Sequence, residues 1–124
     1  MPPLRQCEMS SSGSDVYLYE FTRAPLPLLM GAFHGVEIPY VFGNAGLFSG
    51  LGEIEQADYE LSDAIMSYWT RFAATGDPNG GNAPVWPRYS RASDQHLILD
   101  APISSGSGLY PAACNLADRV RGIK

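Results

Sequence analysis

Gly31-Ala-Phe-His34-Gly-Val-Glu37-Ile-Pro-Tyr-Val-Phe-Gly43 is the stretch from which the rest of this chain is read. It sets a histidine between an aromatic residue and a glycine, places an acid three residues on, and then runs through an apolar segment closed by glycine. Histidine changes charge near neutral pH, its unperturbed pKa being about 6.5, so His34 is the first residue to weigh for acid–base chemistry. A lone histidine is not a site, however, and what surrounds it has to supply the partners.

Upstream lies Val16-Tyr-Leu-Tyr-Glu-Phe21, aromatic and β-branched, with large apolar groups on both faces. Such two-sided hydrophobicity predicts a strand buried within a sheet, and a strand of that kind needs neighbours. Ala24-Pro-Leu-Pro27 ends it. Before it, Ser10-Ser-Ser-Gly-Ser14 reads as a loop and Pro2 to Met9 as the remnant of a helix.

Downstream, residues 43–52 form a glycine-rich loop, and the best helix of the chain follows. Leu61, Ile65, Tyr68 or Trp69, and Phe72 recur at helical spacing. Asp58 and Glu60 suit the positive end of its dipole, and Arg71 the negative end. Gly76 is a natural stop, followed by Asp77-Pro78. Val85-Trp-Pro-Arg-Tyr89 and His96-Leu-Ile-Leu-Asp100 read as two short extended segments turning through residues 90–95 into a hairpin. Pro87 confines the first of them to an edge. Residues 102–108 read as a flexible loop, and 112–120 as a short terminal helix with Leu116 and Val120 on one face.

With 124 residues, 45% of them hydrophobic and 17% charged, the composition is that of a globular chain. The net charge of −5 and the absence of a basic cluster argue against nucleic acid as a partner. No apolar run has the length of a membrane span. Cys7 and Cys114 fit a disulfide across a long loop or two free thiols equally well, and no Cys/His cluster points to a metal. Trp69 and Trp86 stand at packing positions, and His96 falls in the expected hairpin as a surface or half-buried residue.

These blocks, in this order, resemble the late part of the type-B carboxylesterases, the family that includes the cholinesterases. Val16 to Phe21 is similar to the family's strand before the histidine loop, and Gly31 to Gly43 to the loop itself and the helix start after it. Leu61-Ser-Asp-Ala-Ile-Met-Ser-Tyr-Trp-Thr-Arg-Phe-Ala-Ala-Thr-Gly-Asp-Pro-Asn79 resembles the late helix and its Gly-x-Pro-Asn stop. Trp86-Pro87, with Tyr89, resembles the segment beyond. The resemblance implies an α/β class and an α/β-hydrolase fold with a Ser, Glu, His triad in that chain order. His34 matches the triad histidine, the general base and acid. Phe33, beside it, is a candidate for the substrate pocket. Glu37 matches a family glutamate that is not the triad acid, so a structural role in capping or pairing is expected. Cys114 falls near a late disulfide cysteine of the cholinesterases, whose partner there lies farther upstream than Cys7 does here.

The triad chemistry also requires parts that these residues do not display. No serine sits in a G-x-S-x-G elbow; Ser107, in Gly106-Ser107-Gly108, has the wrong flanks and follows the histidine. No His-Gly-Gly-Gly oxyanion motif occurs, and Glu8, Asp15 and Glu20 stand too near His34 to match the family's acid. The expectation is therefore a single partial domain, residues 1–124, the C-terminal segment of a longer α/β-hydrolase domain. It would comprise one central-sheet strand, the histidine loop, an amphipathic helix, a short hairpin and a terminal helix. The parent would hydrolyse a small-molecule carboxylic ester without metal or organic cofactor. The isolated chain would be inactive, and would oligomerise or need the N-terminal part of the fold to cover its strand edge. The rival readings are a segment of a non-catalytic, cholinesterase-like adhesion protein, which a replaced elbow serine would mark, and a free-standing short protein with a new role.

Overall fold

A computed structural model describes residues 14–25, 34–50 and 54–109, together with 116, 119, 120 and 122. Strand β1 (Tyr19–Phe21) is followed by the single-turn helix α1 (Ile38–Val41), a 3₁₀ turn (Ala45–Phe48) and the long helix α2 (Gln56–Thr75). Strands β2 (Gln95–Leu99) and β3 (Ser104–Ser107) complete the set. The three strands make one small mixed sheet in the order β1-β2-β3.

β1 and β2 are parallel, with Tyr19 opposite Leu97 and Phe21 opposite Leu99. A parallel pair needs a long crossover, and here the connection holds α1 and α2. The alternation of the pleat then sorts the side chains. Leu97 and Leu99 enter the buried cluster with Leu61, Ile65 and Tyr68 of α2, and Tyr19 and Phe21 pack partly buried against it. Glu20 and Ile98 share the opposite side of the pleat, in register with each other.

α2 forms where the apolar spacing places it. Leu61, Ile65 and Tyr68 are its buried stripe. Gly76, in the left-handed conformation at φ 80°, ends it, its N–H bonding the Phe72 carbonyl. The core positions of the two tryptophans also hold. Trp86 is buried, its indole N–H donating to the Leu18 carbonyl at 2.9 Å. Tyr17, Tyr19 and Tyr68 meet it edge-on with centroids 5.5–6.0 Å away, and Trp69 packs beside it.

The hairpin lies elsewhere than the sequence indicates. β2 pairs antiparallel with β3, with His96 opposite Gly106 and Ile98 opposite Ser104, so the serine-rich segment expected to be a loop is a strand. Residues 85–89 are not a strand. The Tyr89 N–H donates to the Val16 carbonyl at 2.7 Å, while Asn79 holds the Trp86 backbone from the other side. The physical reason is packing. Trp86 turns inward to fill the core, and Pro87 has no N–H to donate. At Gly106 the strands leave little room for a side chain: a Cβ there would stand 3.2 Å from both His96 Cε1 and Ile98 Cδ1. Small residues in 104–107 signal close approach, which a composition rule reads as flexibility.

The expected strand over residues 16–21 shrinks to Tyr19–Phe21, and it is half-buried rather than sealed on both faces. Among the described residues β1 pairs only with β2. Of the terminal helix, Leu116, Arg119 and Val120 are helical, with Leu116 and Val120 exposed. Most of that segment, Cys114, Cys7, the helix expected over residues 2–9 and the expected loop through residue 13 lie outside the described residues.

Candidate active site

His34 lies in a turn, described over residues 34–37, that leads directly into α1, and it is exposed. The turn is built around Gly35, whose φ of +85° is a conformation that side-chain-bearing residues rarely adopt. It closes with the Ile38 N–H on the Gly35 carbonyl, 3.2 Å, and the Tyr40 and Val41 N–H groups on that of Glu37, both 3.0 Å. Immediately after the exposed histidine and its glycine, Val36 is driven into the interior, 2% exposed. Pro39 in the first turn of α1 begins the helix without wasting a donor.

Glu37 is the residue before α1 and receives those two backbone bonds at its carbonyl, while its side chain makes no capping hydrogen bond to the helix. Its carboxylate also adds to the raised pKa of Tyr19, whose first cause is burial. Phe33 lies outside the described residues.

The turn is fastened below by a polar cluster that sequence reasoning missed. Asp58, in the first turn of α2, is fully buried. Arg23, just beyond β1, donates to it through Nε at 2.7 Å and Nη2 at 2.9 Å, the bidentate geometry that a guanidinium offers a carboxylate. The Tyr40 hydroxyl, on α1, donates to Asp58 Oδ1 at 2.8 Å, and the Glu55 N–H to Oδ2 at 2.8 Å. Arg23 also reaches the Glu55 carboxylate at 3.2 Å. One carboxylate therefore joins three places: the end of β1, the helix after His34, and the start of α2. Ser62 reinforces the contact, donating to the Tyr40 carbonyl at 2.7 Å.

The electrostatics follow from this wiring. Burial of Asp58 disfavours its charge, but the hydrogen bonds from Arg23, the Glu55 N–H and Tyr40 outweigh it and hold the carboxyl down at about 2. The same hydrogen bond to Asp58 raises Arg23. Tyr40 is raised by burial first and by Asp58 second. At neutral pH the cluster is a part-buried ion pair with a neutral phenol. Its signal in the sequence was slight: Glu55 and Asp58 at the three-residue spacing of a capping pair, and an arginine two residues after a strand.

His96, the second histidine, differs from expectation. It is buried, 4% exposed, with Nε2 3.7 Å from the Glu20 carboxylate and Nδ1 unpaired among the described residues. The structure does not bring it to His34: it stands on β2, against Gly106. Among the described residues no group of three or more His, Cys, Asp or Glu is placed to hold a metal ion. No helix there is long and apolar enough to cross a membrane.

The small mixed sheet of three strands with its helices is consistent with the α/β class that the resemblance implies. Residues 2–117 match the model of the carboxylesterase family, and the chain belongs to that family. It is similar to carboxylesterase 5A of Canis lupus familiaris, 44% identical over 107 residues that make up 79% of this chain and 18% of that protein. It is also similar to acetylcholinesterase of Gallus gallus, 41% identical over 82% of this chain and 14% of that protein. Cocaine esterase of Homo sapiens is 34% identical over 88% of this chain and 20% of its own length. The chain thus spans a fifth or less of the length of these curated relatives.

Proposed function

We propose that this chain is the histidine-bearing C-terminal segment of an α/β-hydrolase domain that hydrolyses carboxylic esters, with His34 as general base and acid. The observation that carries the reading is the family match over residues 2–117, within which His34 stands exposed at the head of α1 on an anchored turn. The partial span of the relatives supports a further point: the nucleophilic serine, the triad acid and the oxyanion donors belong to a longer protein. Ile38, Phe42 and Leu47, apolar and exposed in and just after α1, suit a surface against which more chain packs.

In the reaction, His34 takes the serine proton as the hydroxyl oxygen attacks the ester carbonyl. Backbone N–H groups stabilise the resulting oxyanion. The imidazolium then gives its proton to the departing alcohol, leaving an acyl-serine. Water, deprotonated by the same imidazole, attacks the acyl group, and the proton returns to the serine as the acid leaves. The triad acid keeps the ring in the productive tautomer and stabilises its charged form.

The test compares hydrolysis of p-nitrophenyl butyrate by the 124-residue chain and by the longest product of its locus, each with and without His34→Ala. The expected result is background turnover by the chain alone, and a loss on the order of 10⁴-fold or more in kcat for the longer product on substitution. Robust hydrolysis by the chain alone that His34→Ala abolishes would overturn the need for an outside nucleophile. An active longer product indifferent to His34→Ala would remove His34 from the mechanism. An inactive longer product with a replaced elbow serine would favour the adhesion reading.

A further inference from the structure

We propose that Asp58 is a positioning residue for His34, acting through Arg23 and Tyr40; this rests on the reading of His34 as the reacting base. The exposed His34 lies along the chain between these two residues, Arg23 before it and Tyr40 after it. Both donate to the same oxygen, Asp58 Oδ1, at 2.7 Å and 2.8 Å. The carboxylate therefore pins α1, just after the histidine turn, to the end of β1 and the start of α2. Because Asp58 is fully buried, water does not compete for the pin.

A pin of this kind has a catalytic consequence. Anchoring α1 through Tyr40 limits the freedom of the turn, residues 34–37, that leads directly into it. A base must stand within hydrogen-bond reach of the proton it removes, and misplacement by about 1 Å can cost on the order of 100-fold. Capping of α2 alone would need only the Glu55 N–H on Asp58. The Arg23 and Tyr40 bonds add nothing to that cap, since neither residue belongs to α2. Their shared acceptor links the helix to the histidine turn instead.

The chain has two histidines, so its imidazole C–H signals in a ¹³C-histidine-labelled NMR sample are assigned by His34→Ala alone. His96, buried on β2, reports whether the fold persists. The experiment compares the full chain with Tyr40→Phe, Arg23→Lys and Asp58→Asn. The expected result is that His34 shifts toward the free-imidazole position and sharpens in all three, while His96 stays in place. Should Asp58→Asn displace His96 as well, Tyr40→Phe and Arg23→Lys, the milder changes, decide the question. In the longer product, Tyr40→Phe and Arg23→Lys are expected to lower kcat roughly 10- to 100-fold with KM changed less than about twofold. A His34 signal identical in wild type, Tyr40→Phe and Arg23→Lys overturns the proposal and leaves Asp58 a structural ion pair. The NMR readout does not use ester hydrolysis, so a failure of the esterase reading would show separately, as activity indifferent to His34→Ala.

Discussion

The packing between α2 and the sheet and the turn that carries His34 are held by opposite kinds of force. Leu61, Ile65, Leu97 and Leu99 hold α2 to the sheet through shape and exclusion of water, and many neighbours share the load. The turn puts its histidine outside, and is fastened by Val36, Gly35 and a single buried carboxylate with named partners. A hydrophobic interface degrades gradually when one side chain is cut back. A carboxylate pinned in the interior fails abruptly, because its removal takes the acceptor from several donors at once.

The largest expected effect separates the two regions directly. Asp58→Ala strips the Tyr40 hydroxyl and the Glu55 N–H of their acceptor and leaves Arg23 only the Glu55 carboxylate, and should lower stability by about 3–4 kcal/mol, read as the shift of a urea midpoint. Ile65→Ala, at a fully buried position of α2, should cost about 3 kcal/mol and leave the His34 resonance where it is. If Ile65→Ala moved His34 as far as Tyr40→Phe does, the turn would depend on the whole core rather than on its pin.

Acid should discriminate the regions without any substitution. The Asp58 carboxyl sits at about 2 in the folded chain against an ordinary 3.8, so between those values the unfolded state binds the extra proton. Its contribution to stability is fully present above about pH 4 and disappears as pH falls toward 2. Urea melts at about pH 5, 3 and 2 should show this loss in the wild type and a flatter profile in Asp58→Asn. Equal slopes in the two would mean that other carboxylates dominate acid unfolding.

The smallest effects test single glycines. Gly106→Ala crowds His96 and Ile98 at 3.2 Å and should cost about 1–2 kcal/mol with the His96 signal displaced. Gly35→Ala meets nothing closer than 3.6 Å, so its cost, about 1 kcal/mol, should come from backbone strain alone. It should move His34 and spare His96.

Much of this molecule was legible along the chain. α2 was, because Leu61, Ile65 and Tyr68 repeat at the helical period and Gly76 can adopt the left-handed stop. So was the histidine segment, because its residues stand in a row that resembles the family's. The pairing of β2 with β3 was not. Residues 104–107 contain only serine and glycine, and what makes them a strand is the space beside His96 and Ile98. Nor was the role of residues 85–89, where the demand of the core for Trp86 overrode an extended-looking pattern.

The site divides along the same line. Membership of the carboxylesterase family and the prominence of His34 rest on local order, which the chain carries in its own succession of residues. The polar cluster next to the turn joins Arg23, Tyr40 and Asp58, which lie as much as 35 positions apart. Periodicity and motif spacing describe neighbours in the chain; a buried carboxylate selects its partners by distance and dielectric, and those exist only once the chain has folded.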